Sequence, residues 1–175
     1  MSRASKHVEW CLRKAEQEIS ECKKLGKGEK HRGLIRIKPN VNEAEKHLKK
    51  AEHYLEVTDY LINGKFSDIS MSTIFYTMYQ CFLSIASKFG YESGNQSCTI
   101  SLIEWLLEEN KININKRFLK YFHYNEDESV IELREDYTYG TDIEMDDDRI
   151  NFFINECKEL IDETKQVIYA SENEE

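Results

Sequence analysis

Two consecutive stretches of this sequence carry apolar residues at heptad spacing, and only a short link separates them. In the first, Ala44, Leu48, Ala51, Leu55, Thr58 and Ile62 follow one another in steps of four and three. Lys46, Lys49, Lys50, Glu52, His53 and Glu56 fall mostly outside that seam, as expected of a bundle helix running from about Asn42 to Asn63. In the second, Met71, Phe75, Met78, Phe82, Ile85 and Phe89 form one line, while Ile74, Tyr76, Tyr79, Leu83 and Ala86 cover the other sides. The spacing predicts a helix over Ser70 to Phe89. Asn63-Gly64 stops the first helix, and Lys65 to Ile69 allows only an antiparallel return. A helix apolar on most of its circumference belongs at the centre of a fold or at an interface. Its small residues, Ser70, Ser72, Thr73, Ser84, Ala86 and Ser87, would admit a closely packed neighbour.

The rest of the chain favours helix as well, since it has one proline, Pro39, and seven glycines. Val8, Cys11, Leu12, Ala15, Ile19 and Cys22 give a stripe for a first helix from Lys6 to Leu25, closed by Gly26. Gly26 to Asn40 reads as a basic connector in which Leu34-Ile35-Arg36-Ile37 can run extended, and Gly90 to Ser97 reads as a polar loop. A shorter helix is expected over Thr99 to Glu109, a turn or two over Lys116 to Phe122, and helix around Val130 to Tyr137 within an acidic, irregular stretch. The last helix, Asp146 to Tyr169, starts on three aspartates that suit the positive end of the helix dipole. The expectation is an all-α, up-and-down bundle of four to six helices: residues 1–40 add a helix and connector, 41–169 form the bundle, and 170–175 fray.

The net charge of −9 is unevenly spread. Residues 1–50 carry 14 Lys or Arg against 7 Asp or Glu, whereas residues 126–175 carry 4 against 18. Two readings are open: the basic half binds an anion such as a phosphate backbone, or the two ends attract one another within the fold or a dimer. No apolar run reaches the roughly 20 residues a membrane span requires, and the first residues lack the apolar core of a secretory signal, so a cytoplasmic protein is expected. The five cysteines, Cys11, Cys22, Cys81, Cys98 and Cys157, show no C-x-x-C spacing. They read as reduced thiols, with neither a disulfide framework nor a metal or cofactor site indicated.

Several segments resemble the HEPN family of small helical domains. They are Tyr60-Leu61-Ile62-Asn63-Gly64-Lys65-Phe66-Ser67-Asp68, the helix centred on Phe75-Tyr76-Thr77-Met78-Tyr79-Gln80-Cys81, Lys88-Phe89-Gly90-Tyr91-Glu92 leading into Asn95-Gln96-Ser97, and Leu133-Arg134-Glu135-Asp136-Tyr137. The resemblance covers about residues 43–165. It implies a helical bundle that dimerises through its central pair, here through Ser70 to Phe89. It also implies one of three functions: metal-independent ribonuclease, partner of a nucleotidyltransferase in a toxin and antitoxin pair, or binding of RNA or nucleotide without catalysis.

HEPN ribonucleases use an arginine followed at short range by a histidine, a guanidinium to stabilise charge on phosphorus and an imidazole to move protons. The match here is Arg117 and His123, across an apolar interval. In a continuous helix two residues six apart lie roughly 120° from one another, so the pair would share a site only if the helix bent or ended between them. Otherwise they are a surface arginine and a loop-edge histidine. Arg3 and His7 lie closer together than the pattern allows. Asn95, Gln96 and Ser97 occupy the loop where many relatives carry a histidine, and none of them titrates near neutral pH. Arg134, Asp136, Tyr137 and Tyr139 could grip a phosphate and stack a base, or an Arg-Asp pair could tie an irregular segment onto the bundle. Lys30, His31, Arg32, Arg36 and Lys38 could contact a nucleic-acid backbone, or belong to a solvated linker.

With no H-E-x-x-H, G-x-S-x-G or convincing Cys and His set, the expected function is a binding or regulatory module, with Asn95 and Ser97 beside Arg134, Asp136, Tyr137 and Tyr139 as its candidate binding residues. The alternative is the ribonuclease using Arg117 and His123 of both subunits. The apolar girth of Ser70 to Phe89 predicts a homodimer, and light scattering that gives a monomer of 20.8 kDa at micromolar concentration would count against it.

Overall fold

The computed structural model describes Ser2–Ala170, so of the tail expected to fray, 170–175, residues 171–175 lie outside the described residues. The described chain is helical with one small sheet: α1 Arg3–Lys24, β1 Leu34–Arg36, α2 Val41–Asn63, α3 Ser67–Lys88, β2 Tyr91–Ser93, α4 Gln96–Glu108, α5 Arg117–Lys120, α6 Val130–Tyr139 and α7 Asp147–Tyr169. None of these helices is long and apolar enough to cross a membrane.

α2 and α3 form the expected antiparallel pair, and polar side chains pin their register. Ser84 Oγ donates to the Ala44 carbonyl at 2.5 Å, the Thr58 and Thr73 hydroxyls meet at 2.7 Å, and His47 Nδ1 lies 2.7 Å from Gln80 Oε1. The small residues of α3 thus serve the close approach of α2. α7 packs across both helices, α6 covers another side of α3, and α4 covers a third. Met71, Ile74, Met78, Phe82 and Ile85 are consequently fully buried, together with Phe118, Ile150 and Phe153.

That burial corrects the reasoning behind a dimer through Ser70 to Phe89. The apolar girth of α3 is covered inside one chain, and of its large apolar side chains Ile69 and Tyr76 are the ones left exposed. The girth therefore does not by itself call for a second copy.

Helix boundaries shift where capping differs from the expected signals. Asn40, rather than Asn42, caps α2, its side chain accepting from the Glu43 N–H at 3.0 Å. α3 begins at Ser67, three residues before the expected Ser70, after Phe66, which makes no side-chain cap.

The polar loop expected over Gly90 to Ser97 contains β2, which pairs antiparallel with β1, Ile35 opposite Glu92. The sheet joins the N-terminal connector to the main bundle. Gly90 makes the turn at φ +76°, and a Cβ there would lie 2.7 Å from the Ile37 carbonyl oxygen. α1 packs along α4 and against β1.

The cysteine expectation also needs correction. Cys11 on α1 and Cys98 on α4 are joined as a disulfide, with Cα atoms 5.9 Å apart and 87 residues between them in sequence. No local spacing could reveal a pair so distant. Cys22, Cys81 and Cys157 are free, as expected.

Replacing Gly90 by Ala should destabilise the protein by at least about 1 kcal/mol, the cost of a left-handed backbone for a residue with a Cβ. Denaturant unfolding would measure it, and an unchanged midpoint would show that the sheet junction is not needed.

Candidate functional site

A groove of about 970 Å³ lies between the start of α1, the outer face of α4 and the α5 segment. Its floor is apolar: Ala4, Ile100, Leu107, Leu119, Phe122 and Ile131 are all buried. Its walls carry Arg3, Lys6, His7 and Trp10 from α1, Gln96, Ser97, Ser101, Glu104 and Glu108 from α4, and Lys116, Lys120, His123 and Tyr124 from α5, the residue before it and the turn after it.

Helix geometry explains the wall on α1. Arg3, His7 and Trp10 follow at steps of four and three, on a polar and aromatic face beside the buried stripe of Ala4, Val8, Cys11 and Ala15. The His7 and Trp10 rings stack with centroids 5.4 Å apart, and Lys14 stands 5.0 Å from the Trp10 ring centre. His7 Nδ1 lies 2.6 Å from Ser101 Oγ, and His123 Nε2 lies 3.0 Å from Glu104 Oε1. Glu108 accepts from Ser2 Oγ at 2.5 Å. The two acids of the groove thus have partners. None of the cations Arg3, Lys6, Lys116 and Lys120 makes an ion pair among the described residues.

An unpaired rim of cations over an apolar, aromatic-lined floor can hold a planar ring with an anionic group attached. Trp10 and Tyr124 are 47% and 56% exposed; His7 already stacks on Trp10, whereas no aromatic ring pairs with Tyr124 among the described residues.

The expected catalytic pair is not assembled within one chain. Arg117 turns to α7, where its Nε meets Glu156 Oε2 at 2.8 Å, its Nη2 meets Glu156 Oε1 at 3.3 Å, and Nη2 also contacts Glu159. Hydrogen bonds to Glu156, then to Glu159, hold its pKa above the ordinary arginine range. His123 turns the other way, into the groove. The short helix α5 ends between the two residues, but the bend separates their faces instead of uniting them.

Tyr121 completes the α5–α7 junction by donating to Glu156 Oε2 at 2.7 Å. Its pKa is raised first by burial and then by the Glu156 carboxylate.

The other expected site residues are also dispersed. Ser97 lines the groove beside Gln96, whereas Asn95 is the cap of α4, its Oδ1 accepting from the Cys98 N–H at 3.2 Å and from Ser97 Oγ at 2.7 Å. Arg134 lies 4.3 Å from the Phe75 ring centre and reaches Glu135 at 3.4 Å, so it makes no pair with Asp136. Tyr137 packs partly buried against the core, and Tyr139 is 84% exposed at the far end of α6. In the connector, Arg32 pairs with Glu18 at 3.5 Å and His31 with Glu92 at 3.6 Å, while Lys30, Arg36 and Lys38 are exposed. No ion pair among the described residues joins residues 1–50 to residues 126–170, so within one chain the two ends are not held together by direct charge contacts.

Arg3, Lys6, His7, Trp10, Lys116, Lys120 and Tyr124 had not been singled out together as a site. The one local signal is on α1, where Arg3 and His7 recur one helical turn apart, closer than the ribonuclease pattern allows. Among the described residues one group could hold a metal, His7 with Cys11 and Cys98, whose ligand atoms lie within 4.8 Å of one another. Burial pushes the Cys81 thiol up to about 12 and raises Cys157 as well, which makes both unreactive.

Comparison with known proteins adds no identity: no family model, curated protein or solved structure matches the chain.

Tyr121→Phe should cost about 1 to 2 kcal/mol at neutral pH through its lost bond to a carboxylate. Because the Tyr121 pKa is raised on folding, that contribution is complete below about pH 10 and fades as the pH climbs further. Unfolding curves of both proteins across this range should converge at the alkaline end. A constant difference would mean that Tyr121 contributes packing alone.

Proposed function

We propose that this protein is a HEPN-like helical binding module, and that its α1–α4–α5 groove takes a phosphorylated aromatic ligand, a nucleotide or a nucleotide unit of an RNA strand. The observation that carries this reading is the set of four cations, Arg3, Lys6, Lys116 and Lys120, that make no ion pair among the described residues, around a groove edged by the exposed rings of Trp10 and Tyr124. Phosphate supplies the charge these cations lack, and a base supplies the ring that tryptophan and tyrosine stack upon. The groove volume of about 970 Å³ lies within the range of small-molecule sites. The resemblance of residues 43–165 points to the same ligand class. It does so without a catalytic arrangement, because Arg117 is committed to Glu156 and Glu159 on the opposite side of α5 from His123.

Titration calorimetry with nucleoside mono-, di- and triphosphates and with a short single-stranded RNA tests the proposal. Binding should weaken as salt rises. Lys6→Ala combined with Lys120→Ala should reduce affinity about tenfold or more, equivalent to about 1.4 kcal/mol. Absence of binding to every ligand at low salt would reject the groove as a nucleotide site. Metal-independent cleavage of the RNA, lost in His123→Ala, would instead make the protein a ribonuclease.

A further inference from the structure

We propose that His7, Cys11 and Cys98 form a redox-gated site for a thiophilic divalent cation of the zinc type. The site is closed while the two cysteines are joined and opens when they are reduced. This inference stands independently of what the groove binds.

The placement comes from two helices. His7 and Cys11 lie one turn apart where the polar face of α1 borders its buried stripe, and Cys98 sits in the first turn of α4, where the helix dipole favours a thiolate. The three ligand atoms lie within 4.8 Å of one another. A tetrahedral zinc ion with Zn–S of about 2.3 Å and Zn–N of about 2.1 Å requires S···S and S···N separations of roughly 3.6 to 3.8 Å. Side-chain rotations on helices already in contact can supply those separations once the sulfur–sulfur bond is broken. Both cysteines are fully buried, whereas His7 lines the groove, so an incoming ion reaches the thiolates past the imidazole. Ser101 Oγ, 2.6 Å from His7 Nδ1, already orients the ring, as outer-shell partners do for ligating histidines. Three protein ligands leave one coordination position for water or for an anionic group in the groove.

The chemistry balances simply. A dithiol reductant passes two electrons and two protons to the Cys11–Cys98 bond and closes to its own disulfide, leaving two thiols. The cation then binds both sulfurs and His7, and the two thiol protons are released to solvent. Reoxidation requires loss of the ion first, so metal occupancy and the covalent link between α1 and α4 are mutually exclusive.

Cobalt(II) is a suitable probe, because thiolate coordination gives a charge-transfer band and tetrahedral geometry gives intense visible bands. The full-length protein is reduced with a phosphine, desalted without oxygen and titrated with cobalt(II), alongside the oxidised protein. One equivalent per chain should develop both bands in the reduced protein and none in the oxidised protein, and zinc should displace the cobalt. Cys98→Ser should abolish the thiolate band, and Cys22→Ser should leave it unchanged. Should Cys98→Ser misfold, His7→Gln, altered at a partly exposed position on the groove wall, should still lose the bands at stoichiometric cobalt. The proposal is overturned if the reduced, helical protein shows no band, if the oxidised protein binds equally, or if either His7→Gln or folded Cys98→Ser keeps the spectrum of the parent.

Discussion

Water must be kept from every side of α3, and the arrangement of the other helices follows from that requirement. A helix with Met71, Ile74, Phe75, Met78, Phe82 and Ile85 spread around its circumference loses the hydrophobic contribution of any face left uncovered. α2 covers one side at the close distance that Ser84 and Thr73 permit, α7 and α6 cover two more, and α4 covers a fourth. Phe122, from the turn after α5, closes the remaining gap by packing its ring 5.4 Å from Phe75 and 5.2 Å from Phe82. Burying this one helix therefore fixes where α4 and the α5 segment lie. Their outer sides become two walls of the groove.

α1 plays a different part. It contributes Val8 and Cys11 to the shared core but touches the bundle mainly through α4 and β1. Its polar face is thus free to carry Arg3, His7 and Trp10 without a stability conflict. The groove combines a rigid side, set by the core, with a side attached through a small sheet, a helix contact and one covalent bond.

The bundle could be read from the residues because apolar periodicity is a local signal. The α2 and α3 seams, the aspartate cap of α7 and the body of the short helix expected over Thr99 to Glu109 all declare themselves within a few turns of chain. β2 did not, since three residues paired with a strand more than fifty positions earlier leave no periodicity to detect. The start of α3 was missed because Phe66 offers no capping side chain. The site was only partly visible. Ser97 and His123 were named and do line the groove, but Lys116 and Lys120 meet Arg3 and Lys6 across more than a hundred residues of sequence. Arg117 looked like the chemically interesting cation, and only the packing of α5 on α7 shows that its guanidinium is spent on Glu156.

The bond between Cys11 and Cys98 also encloses the whole α2–α3 hairpin in a covalent ring, since the two cysteines lie 87 residues apart. In the unfolded chain such a ring forbids most of the separations that its ends would otherwise explore. Loop-closure entropy for a ring of that size corresponds to about 4 to 5 kcal/mol in favour of the folded state. That is comparable to the entire net stability of many domains of this length. The oxidation state of two sulfurs at the edge of the bundle therefore bears on how firmly its centre holds together, although neither sulfur touches solvent.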